Sequence, residues 1–423
     1  MQPNLTEGNI GSLVRHIAIP ASIGFFFNTM FNVVDAYYGG KLGTDALAAM
    51  SASFPVFFLI IAISSGVSTA ARALVGNSLG QKDENLAKKY YLTSIFIGIG
   101  ISILLTALGL LTGKALFQSM GLTGQALTYA LDYTNVIFYG TIFFVLASIL
   151  NSYLTAIGDS KTFRNLLIFG CLLNVILDPW FMFGGFGLEP HGLKGIAFST
   201  IFIQFLQCVV IIVKLRKAHI LRGFRKFVLN LKIVKEIVLQ AIPSSFNMMT
   251  VAIGSFIITY FVSKYGKDAV AAYGTAIRIE QIALLPTIGL NIAALSLVGQ
   301  NNGAKNYARI REIIKVCLQY GAIVSVFGLF FLIFFGKTFM EIFSKDPNVI
   351  KIGVEYLYVA SFVFMSYVVL FVASSALQGI KKPNRGLSIS VMRQIVAPLV
   401  IFYFLASKLE LPLIWLWISV LVI

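Results

Sequence analysis

The chain has 423 residues, of which 58% are hydrophobic and 12% charged, and its mean hydropathy is +0.86. A soluble protein of this length cannot bury so much apolar surface, so the composition excludes a soluble globular class and predicts a protein embedded in a bilayer. The net charge of +16 would fit a nucleic-acid partner or a membrane surface, and the positions of the basic residues decide between them.

Apolar segments follow one another along the chain, and most reach the roughly 20 residues that a helix needs to cross about 30 Å of hydrocarbon. The ten-residue alternation of an outer-membrane barrel is absent. In the first half we predict helices over residues 13–38, 46–76, 90–112, 126–156, 163–184 and 193–214. In the second half we predict them over residues 232–262, 269–299, 313–336, 349–380, 387–407 and 411–423.

The sequence is an internal duplication. Residues 18–82 recur at 241–305 without a gap, at a shift of 223 positions, and 19 of these 65 residues are identical. Since each copy holds an even number of spans, both copies enter the membrane in the same orientation. We therefore predict an all-α integral membrane protein with twelve transmembrane helices, in two parallel six-helix lobes around a central cleft.

The repeat also sets the expected boundaries of the lobes. We expect an N-lobe over residues 1–217, a cytoplasmic linker over 218–231 and a C-lobe over 232–423. Under the shift of 223, Ile423 corresponds to Thr200, well inside the sixth helix. The twelfth helix is therefore expected to be incomplete.

The basic residues lie mainly on one side of the predicted membrane. The amino-terminal tail and the loops after the even-numbered helices carry 21 Lys and Arg, whereas the opposite loops carry 9. By the positive-inside rule this predicts cytoplasmic termini in a multi-pass protein of the cell membrane. It argues against a nucleic-acid partner and for contact between the basic linker and anionic headgroups of the lipid bilayer.

A cleft between parallel repeats is the usual place for a transported substrate, with alternating access produced by rocking of the lobes. The sequence has no HExxH, G-x-S-x-G, P-loop or Cys/His cluster, so nothing in it favours an enzyme or a nucleotide-driven pump. We expect a monomer without a cofactor, driven by a gradient of H⁺ or Na⁺.

Two acidic residues lie inside predicted spans, where insertion costs roughly 2.5–3.5 kcal/mol and an acid is a functional candidate by default. They are Asp35 on helix 1 and Asp178 on helix 5, and Asn174 stands one turn before Asp178. The second copy is apolar at the three matching positions, Ile258, Ile401 and Ala397. This polar set therefore belongs to the N-lobe alone.

The neighbours of these acids add further oxygen atoms. Asn28, Asn32 and Asp35 stand at i, i+4 and i+7, which places them on one stripe of helix 1. In helix 5, Pro179 has no amide hydrogen, so the carbonyl of Val175 is left for an ion, a water or a side chain.

Carboxylate, amide and carbonyl oxygens suit a hard cation, so Asp35, Asn174 and Asp178 form a candidate Na⁺ site. The two carboxylates can instead share a proton, because burial and the nearness of a like charge both favour the neutral form. The structural alternative is a hydrogen-bonded polar bundle that stabilises the first lobe.

The second copy has its own unmatched polar residues, which are candidates for contact with a substrate or the cleft: Asn247, Arg278, Glu280 and Arg393. Arg278 and Glu280 are two positions apart, so they point to different faces of a helix. Arg393 is a candidate partner for Glu280, either in a buried ion pair that locks the lobe or in direct handling of substrate or cation.

Pro20 and Pro243 occupy the same early position in helices 1 and 7, where each can kink its helix. Only helix 1 also carries an acid. Bending at Pro20 is therefore expected to couple ion occupancy to the shape of the cleft.

Several segments together resemble the multidrug and toxic compound extrusion family. They are the pair VVDAYYGGKLGTDALAA and YFVSKYGKDAVAAYGTAIRIE, VGQNNGA after helix 8, GDSKT after helix 4, and NVILDPWFMFGG with GLKGIAFST from helices 5 and 6. The resemblance covers nearly the whole chain. It implies a twelve-helix, two-lobed secondary transporter that exports drugs, organic cations or other amphipathic small molecules by antiport with H⁺ or Na⁺.

The prokaryotic DinF-like members give the best match. Their N-lobe carries a cation site that includes the helix 1 aspartate, which corresponds to Asp35 here. Asn174 and Asp178 match their N-x-x-x-D on helix 5, and Thr200 matches the threonine that ends their helix 6 motif. The proline whose bending is proposed for the family corresponds to Pro20.

Two further comparisons limit these expectations. The chain has no acid on helix 10 around residues 371–375, where NorM-like members carry one, so the resemblance does not imply a cation site in the C-lobe. The runner-up function is a flippase for lipid-linked oligosaccharides of the same superfamily. A flippase should have a cationic cleft, whereas the unmatched polar set of the first lobe is acidic.

Overall fold

The computed structural model describes residues 4–185, 187–218, 220 and 228–423. Within these residues the chain is helical apart from its connections and one isolated bridge between Gly185 and Leu188. Of the basic linker that is expected to contact headgroups, residues 219 and 221–227 lie outside the described residues.

The helices of the first half are α1 Ile10–Gly40, α2 Thr44–Gly80, α3 Glu84–Ser119, α4 Gly124–Ala156, α5 Ser160–Phe183 and α6 Leu193–Lys217. Those of the second half are α7 Leu231–Val262, α8 Lys267–Gly303, α9 Tyr307–Phe343, α10 Pro347–Gly379, α11 Pro383–Lys408 and α12 Ile414–Val422. Of these described helices, α1 to α11 are long and apolar enough to span a membrane, and α12 has nine residues. The predicted twelve-helix architecture is confirmed.

Most helices extend beyond the predicted apolar segments, because capping groups rather than hydropathy set their ends. α9 begins at Tyr307, six residues before the predicted start at residue 313. The side chain of Asn306 accepts a hydrogen bond from the backbone nitrogen of Arg309, which satisfies one of the donors left free at a helix start.

α11 is a single helix with two π-helical turns, Met392–Val396 and Phe404–Lys408. Pro398 follows the first of them, and its ring cannot donate the hydrogen bond that the carbonyl of Gln394 would receive in a regular α-helix. Arg393 lies within this wider turn.

At one end of the bundle, a helix of each half packs against helices of the other half. The start of α1, Ile10–Ala21, packs with α8, α9 and α10 in one apolar core, and Ile233–Ala241 of α7 packs with α2, α3 and α4 in another. Two further cores, around Tyr133 and around Tyr356, each stay within one half. The two lobes therefore meet at the end that holds the start of α1, and the cleft lies between them toward the opposite end.

Candidate functional site

The structure brings the two acids of the N-lobe together around one amide. The side-chain nitrogen of Asn174 donates to Oδ1 of Asp35 at 2.9 Å and to Oδ1 of Asp178 at 2.8 Å. An amide NH₂ has two hydrogens, so it can serve both carboxyl groups at once. The side chains of Asn174 and Asp178 are fully buried, and 7% of Asp35 is exposed. The shared amide therefore holds the two carboxyl groups next to each other.

Two other buried side chains complete this cluster. The hydroxyl of Ser199 on α6 donates to Oδ1 of Asp178, and Tyr133 on α4 lies within electrostatic range of both acids. Both residues are absent from the predicted site. Ser199 meets Val422 under the shift, so comparison of the two copies would have found it. Tyr133 meets Tyr356, so a search for polar residues present in one copy alone does not select it.

Two oxygen atoms of the cluster have no protein partner. Asn174 Oδ1 and Asp178 Oδ2 are buried and accept no hydrogen bond from any described residue. Buried polar atoms are nearly always paired, so two such oxygens beside the carboxyl group of Asp35 need an explanation. A proton on one carboxyl group, or a Na⁺ ion held by the oxygens, would satisfy them. The site therefore has the composition expected for a transported monovalent cation.

Pro179 leaves one backbone carbonyl of α5 free, and this carbonyl bonds to α1. The hydroxyl of Tyr38 on α1 donates to the freed carbonyl of Val175 at 3.4 Å. An ion, a water or a side chain was expected to bond to this carbonyl, and the structure shows a side chain. Tyr38 follows Asp35 by three residues, so the acid and this second contact act on the same turn of α1.

The remaining N-lobe candidates lie apart from this cluster. Asn28 and Asn32 are exposed, and the amide of Asn32 donates to the carbonyl of Asn28 at 2.9 Å. Thr200 is buried, but its hydroxyl donates at 2.9 Å to the carbonyl of Ile196 on its own helix. The residue of α6 that contacts an acid is Ser199, its neighbour.

Pro20 is buried in α1 where that helix touches the other lobe. Ser22, two residues further on, has its hydroxyl 3.2 Å from the carbonyl of Pro286 on α8. Any change of bend at Pro20 therefore acts directly on a contact between the lobes.

The acid of the C-lobe lies in an aromatic setting. Glu280 is 3% exposed, and the hydroxyl of Tyr356 donates to its Oε2 at 2.6 Å. The ring of Tyr356 packs edge-on against Tyr273, with 5.2 Å between centroids, and against Trp417 at 4.9 Å. Among the described residues no acid pairs with Arg393, so the expected partnership of Arg393 with Glu280 is not formed.

The other C-lobe candidates take separate positions. Arg393 lies 4.8 Å from the centroid of the Tyr367 ring. Arg278 is exposed, on a different face of α8 from the buried Glu280, as their spacing predicts. The amide of Asn247 donates to Ser374 at 2.7 Å and its oxygen accepts from Ser390 at 3.0 Å, so this side chain links α7 to α10 and α11.

Comparison with known proteins gives two matches to one family model. The MatE model matches residues 20–180 and again residues 243–404. The two ranges begin 223 residues apart, which is the shift found within the sequence.

Curated relatives and solved structures agree with this match. YoeA of Bacillus subtilis, a probable multidrug resistance protein, is 28% identical over 320 residues, which are 74% of this chain and 69% of YoeA. The FAD transporter of Shewanella oneidensis is 24% identical over 397 residues, 93% of this chain and 87% of that protein. An outward-facing structure of a multidrug resistance MATE family transporter has a TM-score of 0.91 at 23% identity, covering 99% of this chain and 93% of its own.

Proposed function

This chain belongs to the MatE family of multidrug and toxic compound extrusion transporters, and from that premise we propose that it exports small molecules by antiport with H⁺ or Na⁺. One observation carries the proposal. In the N-lobe alone, a single amide holds two buried acids together while two oxygens beside them lack a partner. The arrangement supports assignment to the DinF-like members, whose cation site includes the helix 1 aspartate.

Ion occupancy acts on α1 through the charge of the pair. Two ionised carboxylates that are bonded to the same amide repel each other. A proton or Na⁺ between Asp35 and Asp178 removes that repulsion. Occupancy therefore favours α1 close to α5, and release of the ion favours their separation. Because Pro20 lies on the same helix at the lobe contact, a change of bend there transmits the state of the ion to the cleft.

Alternating access follows from the two lobes. The contact between them at the start of α1 closes one end of the cleft, and the positive-inside rule assigns this closed end to the cytoplasm. The cleft is then open to the outside, the state in which substrate leaves and the coupling ion enters. We propose that the chain works in this way as a monomer in the cell membrane, with its N-terminus cytoplasmic.

The substrate class is proposed from the charge of the site and from the relatives. A buried acidic cluster in one lobe favours organic cations and amphipathic compounds. YoeA is named for multidrug resistance, whereas the relative from Shewanella is named for FAD. A lipid-linked oligosaccharide flippase is less well supported, because the acids of the N-lobe do not suit the diphosphate of such a lipid.

The C-lobe acid has a different role in this proposal. Glu280 is bonded to Tyr356 and enclosed by aromatic rings, and it is not paired with Arg393. These contacts favour an anchor within the C-lobe over direct handling of the coupling ion. Asn247, with partners on two other helices, fits the same structural role.

The test is export of rhodamine 123, a lipophilic cation, from proteoliposomes in which Na⁺ and H⁺ gradients are imposed separately. We expect one gradient to drive export, and Asp35→Asn and Asp178→Asn each to reduce the driven rate to the level of empty liposomes. Asp45→Asn, an exposed acid at the start of α2, is the matched control and should keep the wild-type rate. Wild-type rates for Asp35→Asn under both gradients would contradict the proposal.

A further inference from the structure

Glycines shared by the two copies lie where one lobe meets the other. Gly66 on α2 faces α7, and a Cβ added there would lie 1.9 Å from the hydroxyl of Ser245. Its repeat partner Gly289 on α8 faces α1, where a Cβ would lie 2.2 Å from the hydroxyl of Ser22. Both pairs are related by the shift of 223, so the two contacts are copies of each other.

A second pair of glycine motifs forms the crossing of α2 with α8. Residues Gly76–Gly80 and Gly299–Gly303 are repeat-related and each reads G-x-x-x-G, the spacing that allows helices in membranes to approach backbone to backbone. A Cβ on the last glycine of either motif would lie 1.9 Å from a backbone oxygen of the opposite motif, that of Gln300 or that of Asn77. The helices therefore cross in direct contact of their main chains.

The crossing is completed by two reciprocal side-chain bonds. The amide of Asn77 donates to the carbonyl of Gly379 at 2.8 Å, and the amide of Gln300 donates to the carbonyl of Ala156 at 2.8 Å. Gly379 and Ala156 are the last residues of α10 and α4, where carbonyls have no donor within their helix. Donors and acceptors are again related by the shift of 223, so each lobe caps a helix of the other.

We propose that this crossing, which we call the α2–α8 latch, holds the closed end of the cleft and that Asn77 and Gln300 are its positioning residues. The latch consists of the two glycine motifs, Gly76–Gly80 and Gly299–Gly303, with the amide bonds that Asn77 and Gln300 donate. The amide of Asn302 adds a third bond across the crossing, to Oδ1 of Asn77 at 2.5 Å. The latch rests on the proposed function in one respect, because alternating access requires a contact that closes one end of the cleft.

The chemistry of the latch suits a contact that must open in every cycle. Its bonds join neutral amides to carbonyls, and water can replace them when this end of the cleft opens. The glycine surfaces leave no side chain to withdraw, so the lobes can part as rigid bodies. A salt bridge at the same place would leave two charges to be hydrated at each opening.

The experiment measures the distance between the lobes at the closed end. Spin labels are placed through Lys161→Cys and Asn384→Cys, exposed repeat-related positions at the starts of α5 and α11. The three buried native cysteines are replaced by alanine. Pulsed electron paramagnetic resonance then gives the distance distribution in a bilayer without substrate. We expect the wild type to show one main short distance, with the open form a minor state of at most about 10%.

Gly80→Ala and Gly303→Ala each insert a methyl group into the crossing, and we expect the longer distance to become the main component in both. The matched control is Gly274→Ala, on the same helix as Gly303 but with no atom within 4 Å of the added Cβ. It should keep the short distance. Asn77→Ala and Gln300→Ala remove the amide donors without adding bulk, and Asn77→Ala also removes the acceptor of Asn302. Each should raise the long component several-fold.

A wild-type distribution in both Asn77→Ala and Gln300→Ala would overturn the proposal, whether or not the glycine variants fold. An increase of the long distance in Gly274→Ala equal to that in Gly303→Ala would also overturn it. Because these distances are measured without substrate or gradient, failure here leaves the transport assay of Asp35→Asn unaffected, and the reverse also holds.

Discussion

At the scale of single residues, the two buried acidic sites differ in the hydrogen-bond donor that serves each of them. In the N-lobe, Asn174 shares its two hydrogens between two acids and keeps its own oxygen free. In the C-lobe, Glu280 has the hydroxyl of Tyr356 to itself. A cluster with spare oxygens can take up a cation, whereas a paired acid enclosed by rings contributes mainly to folding.

The anchoring role of Glu280 predicts the stability of its variants. Glu280→Gln keeps an acceptor for Tyr356 and should unfold close to the wild-type temperature. Glu280→Ala leaves that hydroxyl buried without a partner, which costs about 1–3 kcal/mol. Thermal unfolding of the purified protein in detergent measures the difference, with Glu312→Ala, an exposed acid on α9, as control. Equal stability of the Ala and Gln variants would show that this bond is not an anchor.

At the scale of elements, a charged cap joins the start of α5 to α6. Asp159 precedes α5 and accepts from the backbone nitrogen of Thr162 at 3.1 Å and from its hydroxyl at 2.9 Å. Lys214 on α6 donates to the same carboxylate. Burial raises the pKa of Asp159, but the bonds from Lys214 and Thr162 outweigh it and lower the pKa below its usual value. The cap thus fixes the start of the helix that carries Asn174 and Asp178.

This lowered pKa gives a pH dependence with a defined sign. A carboxyl group with a lower pKa in the folded state stabilises the fold above its unfolded pKa of about 3.9, and this contribution is lost as the pH falls through the folded pKa. Asp159→Asn should therefore lower the unfolding temperature at pH 7, and its difference from wild type should shrink below about pH 4. Asp346→Asn is the control, because the carboxylate at this cap accepts from the backbone nitrogens of Asn348 and Val349 and forms no ion pair among the described residues. A difference that stays constant from pH 3 to pH 8 would contradict this assignment.

The number and order of the helices could be predicted from the sequence because a spanning helix needs a long apolar segment and little else. Their ends could not, since caps such as Asn306 lie in polar sequence beyond that segment. The π-helical turns of α11 were also missed, because apolar periodicity does not distinguish a wide turn from a regular one. Three of the predicted site residues, Asp35, Asn174 and Asp178, meet because α1 packs on α5.

At the scale of the whole molecule, residues that the two copies share and residues present in one copy alone lie in different places. Shared glycines lie at the contact between the lobes, and each unshared acid lies inside a single lobe. Tyr133 and Tyr356 are the instructive exception, because they are shared and yet Tyr356 bonds to Glu280 and Tyr133 lies within electrostatic range of Asp35 and Asp178. Shared positions alone did not predict the lobe contact, since the sequence does not say which faces of α2 and α8 meet.

The central claim is that the Asp35 cluster links ion binding to substrate binding. Its most direct test is the equilibrium affinity of the purified protein for rhodamine 123, titrated with Na⁺ at fixed pH and with pH at fixed Na⁺. In an antiporter each ligand weakens the other by the same factor, typically about 5-fold to 150-fold. We predict that one of the two ions weakens rhodamine 123 binding to the wild type and to Asp45→Asn by at least about 5-fold, and that this dependence is lost in Asp35→Asn. The same dependence in Asp35→Asn as in the wild type would contradict the account.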